Sequence, residues 1–534
     1  MSFKSKIFDK IFPLLNDKQC VDAHEIVINH INKLEKLIPS EYQQYKLIHI
    51  ILAKAYGYNT EYDEIINIYF RLYYGFMRFL YNKQLAKNLA YMLLPYRVSW
   101  IKDNIRYYKE EKPSLVYSKC DNPLRNIDQN KSYNILFANF PSYFIPLIQY
   151  VNKSELDNHL IAIPRSMSEN SIFDNIPPNR ILILDEFITK SINAKYMIVK
   201  DEFNDIYQSN KDAIKNMFRI DNFIFFKFID DGIEIIFKHL LPQSVFFCQI
   251  LDEVFTKVNV NAVIGARVRR IYDRAFHISA LNHGIRSYIM LHANIGDDIR
   301  WISGMGHFNY LDGIFLWGES QKILVENDHL SNVNNLHVVG SPLFDSEHKN
   351  NNLSRKKHII LYAAGNNDKK EVKLLIEILQ YLPDGTELLI KVHPSVNQDY
   401  YQEFTSIDNV KVINYGIIED LLDNIYPDIL VTISSNSGYQ SLVRAIPTVF
   451  LLFFNLNKWI KTFDWIYAMS NNQKNKFQIK NKSNLIDILN KLLLSEKYRY
   501  NFIAEQDEYI KTKMKVHKTT NGSTHEIDNI LYLT

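Results

Sequence analysis

Short apolar runs that stop at small or polar residues recur along most of this chain, with stretches of helical spacing between them. Tyr133-Asn-Ile-Leu-Phe-Ala-Asn-Phe, His159-Leu-Ile-Ala-Ile-Pro and Arg180-Ile-Leu-Ile-Leu-Asp begin one series. Val260-Asn-Ala-Val-Ile-Gly, Ser287-Tyr-Ile-Met-Leu-His and Gly313-Ile-Phe-Leu-Trp-Gly continue it. A polar stretch at 346–357 interrupts the pattern, and a second series starts with His358-Ile-Ile-Leu-Tyr-Ala-Ala-Gly. Runs at Glu387, Val410, Asp428 and Thr448 follow. Near-continuous apolar strands alternating with helices predict parallel sheets covered on both faces. Before the first series, apolar residues recur at three- and four-residue steps, as in Tyr45-Lys-Leu-Ile-His-Ile-Ile-Leu-Ala-Lys-Ala-Tyr, which predicts helices. The expected organisation is a helical domain over 1–125, a Rossmann-like unit over 126–345 and a second over 346–534 that includes the terminal helices. Chemistry is expected in the cleft between the two α/β units.

Composition adds bounds. At 534 residues the chain exceeds one hydrophobic core, since domains run to about 100–200 residues. Its 47% hydrophobic and 23% charged content is that of an ordinary globular protein. A net charge of +3 gives no field that would select nucleic acid. Cys20, Cys120 and Cys248 are far apart and lack metal-ligand spacing, which fits a reducing compartment and neither a disulfide framework nor a zinc site. No run approaches the roughly 18 apolar residues of a membrane span. The first residues lack the pattern of a signal peptide. They place Phe3, Ile7, Phe8, Ile11 and Phe12 on one side of a helix, either a docking face or a contact with the inner-membrane surface. A cytoplasmic protein is the expectation. The stretch from Ala53 to Ile66 loosely resembles one tetratricopeptide helix pair, too little for an array. The helical region reads as an appendage for docking or acceptor contact.

Candidate chemistry gathers at strand ends, where open α/β sheets bind ligands. Glu387-Leu-Leu-Ile-Lys-Val-His-Pro puts Lys391 in a strand and His393 at its tip, with Pro394 behind it. A histidinium there could hydrogen-bond a phosphate and offset leaving-group charge. Asp428-Ile-Leu-Val-Thr-Ile-Ser-Ser-Asn-Ser-Gly delivers Ser434, Ser435, Ser437 and Gly438 to a helix start, a place suited to anions. Ala363, Ala364 and Gly365 would let a phosphate approach backbone amides. In the first series, His292, Asp297 and Asp298 follow a strand and are candidates for the general base. Arg267 and Arg270 follow another strand and could meet an anionic sugar or acceptor. Asp297-Asp298 alone is a poor metal cage, and no metal is expected.

Gly340-Ser-Pro-Leu-Phe-Asp345, Lys391-Val-His-Pro394 and Ser434-Ser-Asn-Ser-Gly-Tyr-Gln-Ser-Leu-Val-Arg-Ala-Ile-Pro-Thr448, in that order, resemble GT-B glycosyltransferases that build bacterial surface polymers. Capsular polysaccharide transferases, Kdo- and sialic-acid-transferring enzymes and CDP-glycerol polymerases share this arrangement. The segment from Arg267 to His292 also fits, and the likeness spans roughly 133–494. It departs at Ala293, where the family often has glycine, and at Gln440, where it often has glutamate. The resemblance implies an α/β GT-B fold and a metal-independent transferase with no cofactor beyond its nucleotide-sugar co-substrate. The donor would be a CMP-linked ulosonic acid first, with CDP-glycerol and UDP-sugars open, and the acceptor a glycan or lipid-linked glycan. Sialyltransferases of this architecture carry an acidic pair before glycine whose carboxylate is the base, matched here by Asp230-Asp231-Gly232. The flanking sequence also permits one continuous helix, in which those aspartates are solvated. The alternatives are a glycerophosphotransferase, a nucleotide-sugar epimerase of the same architecture and a non-catalytic scaffold in a polysaccharide assembly complex.

Overall fold

A computed structural model describes residues 33–48, 115–117, 120, 122–139, 141–217, 219–220, 223–224, 233–234, 236–268, 271–291, 310–326, 335–345, 357–365, 368–393, 396–433, 436–451, 478–479, 481–517, 519 and 521–533. Two parallel sheets follow one another along the chain. The first contains β1 (Tyr133–Phe137), β2 (His159–Ile163), β3 (Ile181–Ile183), β6 (Val260–Gly265), β7 (Arg286–Met290), β8 (Gly313–Leu316) and β9 (Leu336–Val338). Their spatial order is β3-β2-β1-β6-β7-β8-β9. A separate two-stranded antiparallel ribbon pairs β4 (Arg219–Ile220) with β5 (Phe223–Ile224). The second sheet holds β10 (Ile359–Ala364), β11 (Glu387–Val392), β12 (Val410–Ile413), β13 (Ile429–Thr432), β14 (Thr448–Leu451) and β15 (Gln478–Ile479). Its order is β12-β11-β10-β13-β14-β15. Each order runs outward from the first strand and then reverses, which is the doubly wound Rossmann pattern. The two-unit α/β plan expected for GT-B is therefore the one observed. β9 and β15, each of three residues or fewer, escaped the sequence pattern.

Every residue of β1 and of β2 is buried, so each sheet needs cover on both sides. In β1, Ile135 and Phe137 face one core while Leu136 faces another, as strand alternation requires. One face is closed by α3 (Leu241–Lys257), whose Val245, Phe247, Ile250, Leu251 and Val254 are almost fully buried. Alongside lie α2 (Lys190–Ser209) and α4 (Ile271–Asn282). The opposite face is closed by α1 (Pro141–Lys153) through Phe144, Leu147 and Tyr150. Gly265 ends β6 where a Cβ would lie 2.4 Å from Nε2 of His277 on α4, so strand and helix meet without room for a side chain.

The second sheet is flanked by α5 (Lys369–Ile378), α6 (Ile418–Asn424), α7 (Asn436–Leu442), α8 (Lys482–Leu494) and α9 (Glu496–Lys513). The last helix, α10 (Gly522–Leu533), was expected to finish this unit and instead packs on the first. Ile527 and Leu531, at 0% and 1% exposure, sit among Leu136, Phe144 and Tyr150. Burying two such side chains contributes roughly 1.5–3 kcal/mol each. Asp528 fixes the register by accepting from Tyr150 Oη at 2.5 Å and Ser154 Oγ at 2.8 Å. The local pattern of α10 could not reveal its destination, because the same apolar face would fit either unit.

The connection between the units is held from both sides. Asp345 is 3% exposed and accepts from the amide and hydroxyl of Ser523, both at 2.7 Å. Lys153, at the end of α1, donates to the carbonyls of Pro342 and Asp345. Gly340 has φ +84°, and a Cβ there would meet Ser523 Oγ at 2.6 Å, which fixes glycine at this turn. Of the helical region, residues 33–48 are described, with tight 3-10 turns at Lys33–Leu37 and Ser40–Tyr45. They lie on the first unit, where Tyr42 and Tyr45 donate to Glu202 and Asp252, each at 2.9 Å. The tetratricopeptide-like stretch and the amphipathic start lie outside the described residues.

Candidate functional site

The second sheet reverses between β10 and β13, so its crevice opens where those strands and β11 end. Register places Lys391 beside Ala363 and Ala363 beside Thr432, forming one row on one face across β11, β10 and β13. Lys391 is 5% exposed, and its ammonium donates to the Val392 carbonyl at 2.9 Å. Among the described residues no carboxylate lies within ion-pair distance of it. Burial pushes its pKa down, with Glu419 pulling in the other direction.

His393 follows two residues later on the same side. Its amide bonds the Ala364 carbonyl at 3.1 Å, which extends the β10–β11 pairing by one residue. Its carbonyl accepts from Val396 at 2.9 Å, which closes a turn behind it. The side chain reaches solvent on one side and is hemmed in by protein on the other. That crowding, followed by the Lys391 ammonium, pushes the imidazole below the ordinary histidine range. In the free protein these surroundings disfavour the histidinium form. A bound anion would pull its pKa back up.

Behind this row is a buried polar corner. Gln440 Nε2 donates to Glu419 Oε1 at 2.6 Å, and Gln440 Oε1 is buried with no hydrogen-bond partner among the described residues. A carboxylate therefore occupies this corner although position 440 is an amide. Burial raises the Glu419 pKa, opposed by Arg444 and by the bond from Gln440. Arg444 grips Asp423 with two bonds of 2.6 and 2.9 Å, and its Nη1 bonds the Gln440 carbonyl at 3.0 Å. Sequence reasoning passed over Glu419. Its signal is weak, a single acid at a helix start far from the serine loop.

Two glycines expected at the nucleotide have structural duties. The Gly365 amide donates to Asp368 Oδ2 at 2.6 Å and its carbonyl accepts from Tyr401 at 2.7 Å. A phosphate would have to displace a carboxylate to use that amide, so the expected cradle at Gly365 is already filled. Gly438 allows α7 to lie on β14, because a Cβ there would come within 2.8 Å of the Phe450 ring. Ser437 is buried at 7% exposure in the same helix.

The first sheet reverses between β1 and β6. Arg267, just past β6, is 7% exposed. Its Nε bonds Asp273 at 3.1 Å, and its guanidinium stacks on the Tyr143 ring at 3.8 Å from the centroid. The arginine expected to meet an anionic sugar or acceptor is thus buried against Asp273 and Tyr143. Asp230, Asp231, His292, Asp297, Asp298, Arg270, Ser434 and Ser435 lie outside the described residues. Among the described residues no cluster of three or more potential metal ligands occurs, and no helix is long and apolar enough to cross a membrane.

No protein-family model matches the chain, and no curated protein matches its sequence. Among solved structures, the chain is similar to UDP-GlcNAc 2-epimerase from Methanocaldococcus jannaschii at 14% identity and a TM-score of 0.44, covering 76% of this chain and 100% of that one. It is similar to HepE from Anabaena, solved with UDP and glucose, at 10% identity and a TM-score of 0.44, covering 76% and 100%. The glycotransferase of kitacinnamycin aligns at 12% identity and a TM-score of 0.41, covering 75% and 99%.

Proposed function

We propose that this chain is a metal-independent GT-B glycosyltransferase whose second unit holds a nucleotide-activated sugar and whose first unit binds the acceptor. The observation that carries the reading is Lys391, a buried ammonium on the strand next to the topological switch point with no carboxylate in ion-pair range among the described residues. A buried charge without a close ion-pair partner costs several kcal/mol, and an anion arriving from outside would offset that cost. A phosphate at the strand ends meets that need. In transfer, an acceptor hydroxyl attacks the anomeric carbon while the bond from that carbon to the phosphate oxygen breaks. Negative charge grows on the departing phosphate, where Lys391 and the adjacent His393 offset it. The acceptor's proton passes to a base on the first unit, for which Asp230, Asp231, His292, Asp297 and Asp298 are the candidates.

The motif set resembles that of cytidine-nucleotide users, so a CMP-linked ulosonic acid is the first donor to test. The acceptor would be a bacterial surface glycan or its lipid-linked precursor. Thermal unfolding against CMP, CDP, UDP and GDP is the experiment. A nucleotide at about 100 times its Kd adds roughly 2.7 kcal/mol of stability. Selective stabilisation by one nucleotide supports the reading. No response to any of the four favours a non-catalytic scaffold and overturns it. Product analysis with the selected sugar nucleotide then separates transfer from epimerisation.

A further inference from the structure

The carboxyl edge of the second sheet carries one exposed aromatic side chain that the phosphate contacts leave unused. Register pairs Lys391 on β11 with Ile413 on β12. His393 and Tyr415 each follow by two residues, so they leave neighbouring strand ends, and neighbouring strands lie about 5 Å apart. Ile413 is 9% exposed, whereas Tyr415 is 74% exposed. Among the described residues Tyr415 makes no hydrogen bond and no ring contact. Gly416 behind it has φ +68° and open space where a Cβ would stand. The chain therefore turns in a left-handed conformation directly after the tyrosine, toward the start of α6 at Ile418. Single exposed tyrosines are ordinary on protein surfaces; position distinguishes this one. Tyr381 ends a 3-10 turn with the Lys482 ammonium 5.5 Å from its ring, and Tyr500 and Tyr532 lie within α9 and α10. Of the exposed tyrosines among the described residues, Tyr415 alone directly follows a strand. It stands where open α/β sheets bind ligands.

A nucleotide offers two parts to such an edge. Its phosphate is drawn to Lys391 and the adjacent His393, and its base is a flat ring joined to that phosphate through one ribose. The ribose spans a distance comparable to a strand spacing, so a base extending from a phosphate at β11 reaches the tip of β12. Stacking there takes the faces of both rings out of water and leaves the edges of the base unread. We propose that Tyr415 is the stacking platform for the nucleobase of the activated donor. The inference rests on the reading of the second unit as a nucleotide site and names the group that holds the base. It also gives the ligand a direction. The nucleoside lies toward β12, the outermost strand on that side, and the phosphate lies toward β11 and β10.

Calorimetric titration of the full chain compares the wild type with Tyr415→Ala and Tyr415→Phe. The ligand is whichever of CMP, CDP, UDP and GDP stabilises the protein most, alone and in its sugar-linked form. At 74% exposure the side chain lies outside the core, so neither substitution removes core packing. Stacking predicts that Tyr415→Ala raises the Kd of the free nucleotide about 5- to 150-fold. Tyr415→Phe keeps the ring and should bind as the wild type does. Wild-type affinity in Tyr415→Ala overturns the platform. Equal weakening in Tyr415→Ala and Tyr415→Phe assigns the effect to the hydroxyl and overturns stacking. A loss seen with the sugar-linked form and not with the free nucleotide assigns the ring to the donor sugar, which also overturns the proposal. The two readings fail separately. If none of the four nucleotides binds the wild type, the donor reading fails and the platform falls with it. If the nucleotide binds the wild type and both variants equally, the donor reading stands and Tyr415 alone loses its role.

Discussion

Replacing Lys391 by Met separates a ligand-binding ammonium from a structural one, because the two roles predict opposite signs. The substitution keeps an unbranched apolar stem of similar length in the row with Ala363 and Thr432 and removes the charge. In the free protein the change deletes a single hydrogen bond, to the Val392 carbonyl, worth about 0.5–1.5 kcal/mol. It also removes the cost of holding an ammonium at 5% exposure, the cost that pushes the lysine pKa down. The two effects oppose, so apo stability should stay within about 1 kcal/mol of the wild type or rise. Nucleotide binding behaves differently. A charge-assisted bond to phosphate is worth about 1.5–3 kcal/mol, which is roughly a 10- to 150-fold rise in Kd. Urea unfolding of the apo protein and calorimetric titration with the stabilising nucleotide measure the two quantities. A variant that unfolds much more easily yet binds the nucleotide as tightly as the wild type would refute the argument.

His393, whose pKa burial lowers in the free protein, should take up a proton when a phosphate binds beside it. Near neutral pH the binding heat should vary with the ionisation enthalpy of the buffer, and His393→Asn should erase that dependence; buffer-independent heats in the wild type would contradict the assignment. His277 is fully buried, and burial lowers its pKa to about 3. The unfolded chain protonates this histidine near pH 6.5 while the folded chain does not, so its effect is absent above that pH. Below it, folding stability should fall by up to about 1.4 kcal/mol per pH unit until pH approaches 3. His277→Gln should flatten that slope in pH-dependent denaturation, and an unchanged slope would assign the acid sensitivity elsewhere. Gly438→Ala drives a methyl to within 2.8 Å of a Phe450 ring that is 1% exposed, and overpacking of this kind costs about 1–3 kcal/mol. Wild-type stability in denaturant titration would remove the packing role given to this glycine.

Strand positions were legible because burial on both faces leaves an apolar run whatever the rest of the chain does. The runs at Tyr133, His159, Val260, His358, Glu387 and Asp428 all fold as strands at those places. Lys391 and His393 were legible for a related reason: a polar residue at the end of such a run marks the carboxyl edge of a sheet. What escaped notice depends on partners distant in sequence. Nothing near Gly365 announces that its amide belongs to Asp368, although the two are three residues apart. Arg267 looks like a free cation until Tyr143 and Asp273 are brought against it. Glu419 became visible when its bond from Gln440 was seen, across 21 positions.

The crossing of α10 back to the first unit has a consequence for how the molecule is made. The hydrophobic interior of the unit that begins at β1 is completed by Ile527 and Leu531, nearly four hundred residues later. On the ribosome, that part of the first unit's apolar face stays uncovered until residues 522–533 have been synthesised, so the first unit reaches its full packing only at the end. For the same reason, two fragments divided near residue 350 should not behave as independent proteins. They are pieces that find each other, with α10 of one restoring the interior of the other.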